Sequence, residues 1–241
     1  CTQPLWGLDA LEARYPGHFN NWMRHHVDVL GFDHVFVYDL DGSAQALVAP
    51  HVSRGRATYF GRWVERHLQL PAAFSKWVKD AAKLRKVNAI FAMTWDHCLM
   101  MNREISEWLA VVHAVDVFLM PTEQGQVLPT IHTLLEAHPG ASSLLIWDAV
   151  FDGSPVASPR GSRVQDHFFW RRPGESETIP IVRPRLVDYV DTHSGLLQPF
   201  VDVSTEVSVP RTQWQANHYS SIFRHRTFPE LGPPVWDGRA V

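Results

Sequence analysis

His34 to Tyr38 is a compact run of β-branched and aromatic residues that ends in Asp39-Leu40-Asp41-Gly42-Ser43, a strand running into a turn-rich loop. Before it, Asn21 to Leu30 carries Trp22, Val27 beside His26, and Leu30 at helical spacing, and Gly31 supplies the stop. Cys1 to Gly7 reads as a short strand entering a loop, and Arg56 to Phe60 as a third strand. This strand, helix, strand, polar-loop rhythm predicts a parallel α/β sheet with its site at the carboxyl ends of the strands.

Ala72 to Lys86 reads as an amphipathic helix with Lys76, Lys79, Lys83 and Lys86 mostly on one face. That face is either a plainly solvated one or a cationic stripe that collects an acidic glycan. A helix is predicted from Phe91 to Arg103. Trp108 to Met120 then forms a nearly unbroken apolar run, as in a strand covered on both faces. Its polar members, His113 and Asp116, are costly there unless bonded, paired or metal-bound. Val127 to His138 reads as a helix, Ser143 to Trp147 as a strand, and Ile179 to Val190 as a strand or hairpin arm. Asp152 to Gly174, rich in Gly, Pro and Arg, reads as a long loop over the site.

With 241 residues, 45% hydrophobic and 12% aromatic, the chain can bury one substantial core. A net charge of -3 and a pI near 6.5 give no broad cationic field, so nucleic acid is not an expected partner. No apolar stretch approaches the roughly 20 residues that cross a bilayer, so membrane attachment is expected only through a segment outside this chain.

Two cysteines, Cys1 and Cys98, exclude a disulfide scaffold and a thiolate zinc site; they either bridge each other or sit as two buried thiols. Fourteen histidines are dispersed, with no HExxH spacing. Gly-x-Ser-x-Gly and Gly-x-Gly-x-x-Gly are both absent, which argues against a lipase-like esterase and a dinucleotide oxidoreductase.

Several short segments recur in one order along residues 1 to about 226. They are Cys1-Thr-Gln-Pro-Leu-Trp-Gly7; Asn21-Trp22-Met-Arg-His25-His26 with Leu30-Gly31; and Asp33-His-Val-Phe-Val-Tyr-Asp39 through Ser43. Asp96-His97-Cys98-Leu99, Val115-Asp116-Val-Phe118-Leu119 and Ile146-Trp147 with Phe151-Asp-Gly-Ser154 follow, then Ile181-Val-Arg183-Pro184, His193 and His218-Tyr219. Each is weak alone. In this order they resemble glycosyltransferase family 92, whose members include galactan synthases and galactosyltransferases.

The resemblance implies an α/β fold of GT-A type, a Rossmann-like mixed, mostly parallel sheet flanked by helices. Residues 1–125 would form the nucleotide-sugar-binding half and 126–241 the acceptor-side half of one domain. It implies an inverting transfer of a hexose, galactose favoured, from a UDP-sugar to a glycan acceptor, in the Golgi or another secretory-pathway lumen.

Such a transfer must stabilise a departing diphosphate, usually with Mn²⁺ or Mg²⁺ on oxygen ligands. The resemblance puts Asp116 and His218 at the metal. Asp39, Asp41, Asp116 and Arg183 fall to nucleotide binding, with a turn-capping role for Asp39 and a surface ion pair for Arg183 as alternatives. Asp148 and Asp152 are the candidate bases for the acceptor hydroxyl, or turn caps. Trp147 and Trp170 are candidates for stacking on a sugar, although most of the ten tryptophans must be core. His113 either assists the metal or is a satisfied core histidine.

The sequence departs from the family at Ala114, where the first carboxylate of its Asp-x-Asp belongs, and at Val117, where a further acidic residue belongs. Asn21 replaces an acidic residue, and no lysine precedes Ile181. These losses keep two alternatives open, a metal-independent transferase and a noncatalytic glycan-binding or scaffold domain of the same fold.

Overall fold

The computed structural model describes residues 1–67, 88–122, 128–152, 170–171, 177–190, 195–197, 205–219 and 235–236. The expected helix over 72–86 and most of the expected loop over 152–174 lie outside them.

The chain opens with an extended segment, residues 1–5, followed by helices Leu8–Arg14 and His18–Met23, the latter continuing as a π-helix over Arg24–Val29. Gly31 ends it at φ 83, a left-handed position that costs glycine nothing. Strand β1, Val35–Asp39, crosses through helix Gln45–Ser53 to β2, Ala57–Gly61, with the two strands parallel. Helices Trp63–His67 and Asn88–Asn102 precede β3, Leu109–Ala110.

Segment 1–5 is wedged between β1 and the chain around β3. Thr2 and Leu5 donate to Phe36 and Tyr38 at 3.0 and 2.8 Å, while Gln3 donates to the Val112 carbonyl at 3.0 Å. Its two bridges, Thr2 with Val112 and Leu5 with Asp39, are parallel. Four parallel runs therefore lie side by side: β2, β1, 1–5 and 109–112. Every side chain of β1 is buried or half-buried. Alternation sends Val35 and Val37 into one core, with Phe19, Trp22 and Phe118, and Phe36 and Tyr38 into the other, with Trp63, Trp95 and Leu99.

Beyond this quartet the directions change. β4 is Val117–Pro121, and helix Ile131–Glu136 leads to the ten-residue β5, Ser143–Asp152. Trp170–Arg171 is β6 and Thr178–Val182 is β7, which is antiparallel to both β3 and β5. Val187–Val190 and Gly195–Leu197, β8 and β9, pair with each other. Strands β10, Glu206–Val209, and β11, Trp214–His218, run along the other side of β5, both parallel to it, separated by a turn at Pro210. β11 also pairs antiparallel with β4, and Val235–Trp236, β12, pairs with β6.

Counting the antiparallel pair of β5 with β6, three of the nine strand pairings among the described residues are parallel, so the fold is mixed α/β with a mixed sheet. The reason is β7, which enters between β3 and β5 running against both.

Edge strand β4 is closed by side chains. His18 and His25 place ring nitrogens 2.7 Å from the carbonyls of Val115 and Leu119, and the Trp22 indole donates to Val117 at 2.8 Å. Steps of four and three residues along a helix advance about as far as two along a strand, roughly 5–7 Å. A helix can thus serve alternate carbonyls of an edge that no other strand among the described residues covers. The Trp22-x-x-His25 pattern is in this way a structural device, and together with His18 it grips the chain on both sides of Asp116.

Of the two readings for the cysteines, the bridged one holds: Cys1 and Cys98 form a disulfide with Cα atoms 6.5 Å apart, tying segment 1–5 to helix Asn88–Asn102.

Candidate functional site

The apolar run from Trp108 to Met120 is two strands, not one. After Val112 the chain leaves the quartet, turns at Ala114–Asp116 with Val117 donating to the Ala114 carbonyl at 3.2 Å, and re-enters the sheet as β4 beside β11. His113 and Asp116, the polar members of the run, stand where the ladder is interrupted. Asp116 lies at the carboxyl end of the fourth parallel run and is only 5% exposed.

His218 reaches it through strand register. It pairs with Val117 across β4 and with Val150 across β5, and Tyr219 donates to the Asp116 carbonyl at 2.9 Å. Its Nε2 is 3.5 Å from Asp116 Oδ2. Asp148, two residues before Val150 and so on the same face, places Oδ2 3.3 Å from His218 Nδ1. Asp148 is 1% exposed, and its Oδ1 accepts the Glu177 N–H at 3.0 Å. Glu177 sits just before β7, and its carboxylate lies 3.7 Å from His113 Nδ1, whose ring is 6.1 Å from that of His218. Sequence reasoning missed Glu177; an acidic residue before a strand is too common to stand out among 25.

His218 is thus an imidazole between two carboxylates. Burial pulls its pKa down, but Asp116 and Asp148 outweigh that and raise it to about 10. His18, His25 and His26 show the opposite, since burial lowers each of them, His26 well below its usual value. The two groups predict a stability maximum near pH 6.5. Below that pH the unfolded chain takes up protons that buried His18, His25 and His26 refuse, so stability falls on acidification. Above it the folded chain retains the His218 proton that the unfolded chain has lost, and this contribution decays as pH rises through about 10. Thermal unfolding from pH 5 to 10 should trace both arms, and His218→Gln should flatten the alkaline one.

The remaining sequence candidates fall in three places. Asp39, fully buried, has all its acceptor sites used: Oδ1 takes the Asp41 and Gly42 N–H groups, and Oδ2 takes Ala44 N–H at 2.9 Å and the Tyr59 hydroxyl at 2.6 Å. It anchors its turn, and no lone pair remains for a nucleotide. Asp41 accepts from Gly7 and Ser43 at 2.9 and 3.0 Å, but is exposed at the same carboxyl edge as Asp116. Asp152 closes β5, and its side chain lies outside the described residues, as do those of Trp170 and His193. The Trp147 indole donates to Ser208 Oγ at 2.7 Å and has Arg211 5.9 Å from its ring, so it is engaged within the protein.

Arg183 does not join the cluster. It follows Val182, which pairs with Leu109 at the opposite end of the fourth parallel run from Asp116. There it binds the Ala141 and Pro139 carbonyls and Glu107, and its guanidinium lies 4.2 Å from the Trp108 ring centre. A cavity of about 860 Å³ opens at this end, lined by Trp108, Arg183, Phe36 and His132 among others. Arg183→Ala should cost about 1–3 kcal/mol in chemical denaturation through the lost bonds and stacking. It should leave nucleotide affinity unchanged.

Among the described residues no group of three or more His, Cys, Asp or Glu is arranged to hold a metal. Two donors do fit one. Asp116 Oδ1 is buried with no hydrogen-bond partner, and a carboxylate oxygen with nothing bound to it is a hard ligand with a free lone pair. His218 Nε2 faces the other oxygen. A carboxylate and an imidazole suit Mn²⁺, with phosphate oxygens and water for the remaining positions.

No protein-family model matches the chain, and no curated protein matches it.

Proposed function

We propose that the chain is a UDP-sugar-dependent glycosyltransferase of GT-A type, related to family 92, that transfers a hexose, galactose favoured, to a glycan acceptor with inversion. The observation that carries this reading is the orphaned Asp116 carboxylate beside His218 at the carboxyl end of the fourth parallel run. Numbered along the chain, the quartet runs 3-2-1-4, the order of the first four strands of a doubly wound nucleotide-binding sheet, and in such sheets ligands lie at this edge.

Asp116 and His218 would hold Mn²⁺ or Mg²⁺, which supplies charge neutralisation to the diphosphate leaving group. Exposed Asp41, at the same edge, would accept from a ribose or base. Asp148 is too enclosed to meet an acceptor, so of the two candidate bases the role passes to Asp152. A base there would take the acceptor hydroxyl's proton as the oxygen attacks the anomeric carbon and the UDP departs. The Cys1–Cys98 disulfide supports an oxidising compartment such as the secretory lumen.

A noncatalytic domain of the same fold is the second reading, favoured by Ala114 where a first carboxylate would stand. Donor turnover separates the two. The purified domain incubated with UDP-galactose and Mn²⁺ should release UDP slowly without an acceptor, and Asp116→Ala should abolish the release. Equal, background release from both proteins across a panel of UDP-sugars would overturn the enzymatic reading.

A further inference from the structure

We propose that Asp148 is a positioning residue that holds His218 in the tautomer whose Nε2 is open to a divalent cation. This rests on the metal reading above and adds a residue that never touches the ion.

Asp148 is fixed from three sides. Its N–H donates to the Glu177 carbonyl at 3.0 Å, its carbonyl accepts Arg211 Nη2 at 2.8 Å, and its Oδ1 accepts the Glu177 N–H at 3.0 Å. The last bond decides the chemistry. A backbone N–H is always a donor, so the oxygen facing it must be an acceptor. Only Oδ2 is left for His218 Nδ1, at 3.3 Å. An ionised carboxylate oxygen accepts and does not donate, so Nδ1 carries a hydrogen whenever Asp148 is ionised. When His218 gives up one proton to take a cation, the proton lost is therefore the one on Nε2, the nitrogen that faces Asp116. A carboxylate behind a metal-binding histidine commonly sets ring orientation and tautomer in this way.

This arrangement makes the near-isosteric Asp148→Asn a sharp probe. Glu177 N–H claims the single oxygen of the new amide, so its NH₂ must face His218 Nδ1. A donor there requires a bare Nδ1, which shifts the ring hydrogen to Nε2 and closes it to metal. The change swaps one oxygen for NH₂ with almost no change in volume. The same substitution also removes a buried negative charge beside His218, so folding is checked alongside binding.

The experiment measures Mn²⁺ affinity by electron paramagnetic resonance in the presence of UDP for wild type, Asp116→Ala and Asp148→Asn. Thermal unfolding is followed for each. Wild type should take up Mn²⁺. Asp148→Asn should bind it about 10- to 100-fold more weakly while still unfolding in a single cooperative transition. Wild-type Mn²⁺ affinity in a folded Asp148→Asn overturns the positioning role and leaves the metal reading standing. A wild type that takes up no Mn²⁺ overturns both.

A measurement on the unaltered protein covers a variant that fails to fold. ¹⁵N chemical shifts of the His218 ring with Mg²⁺ and UDP bound should show hydrogen on Nδ1 and none on Nε2. The reverse tautomer overturns the proposal.

Discussion

Reducing the Cys1–Cys98 bridge should lower the free energy of unfolding by about 4–5 kcal/mol, the loop-closure value for a cross-link spanning on the order of 100 residues. The sequence separation here is 97. The bond ties segment 1–5, an inner run of the parallel quartet, to a helix packed in the second core, where Cys98 is fully buried. For a domain of this size each kcal/mol moves the melting point by roughly 2–4 °C, so the shift should be about 10–20 °C. Scanning calorimetry with and without reductant measures it, and coincident transitions would show that the bridge contributes nothing.

Asp116→Ala should weaken metal-dependent UDP binding by on the order of 100-fold or more, because even a residue behind a metal ligand costs 10- to 100-fold when removed. Its effect on folding should be small. Asp116 Oδ1 forms no hydrogen bond that the substitution would break, and His218 keeps Asp148 as its counter-charge. His218→Ala is the informative contrast. It leaves Asp116 and Asp148 as enclosed carboxylates without a cation between them, and stranding buried charge costs about 3–5 kcal/mol. A site built for a ligand should show this asymmetry, with the carboxylate dispensable to the fold and the histidine not. Denaturant unfolding of the two variants beside calorimetric UDP titrations tests it. Equal losses of stability would mark Asp116 as a structural ion-pair partner.

The strands were most legible where composition and boundary signals agreed. β1 was read as His34–Tyr38 and β2 as Arg56–Phe60, each within about a residue of its bounds, because β-branched runs ended in turn chemistry. Helix Asn88–Asn102 was also readable, as Phe91 to Arg103. The run from Trp108 to Met120 was misread as continuous. An apolar run reports burial, not hydrogen-bond continuity, and the chain stays enclosed as it leaves one part of the sheet for another. The same passage did give a usable sign, since His113 and Asp116 were costly in an unbroken strand. Ile179–Val190 likewise splits into β7 and β8 around the short 3₁₀ turn Pro184–Leu186, where proline removes a ladder donor.

The candidate site was partly legible. Asp116, His218 and Asp148 were each singled out, but their meeting depends on the register between β11 and its neighbours β4 and β5, which local pattern does not carry. Arg183 was placed near a phosphate because cations suit phosphates, yet β7 runs antiparallel and delivers it to the opposite end of the sheet. Asp39 could be read either way from sequence, and only the four donors around it decide for the turn. Glu177 enters through its backbone, for which no side-chain motif exists.

Calorimetric titration of the purified domain with UDP, with and without Mn²⁺, tests the central claim most directly. The account predicts micromolar binding, about -8 kcal/mol, that requires the metal. UDP binding of equal strength in a chelator, or no binding in either condition, would contradict a metal site built from Asp116 and His218.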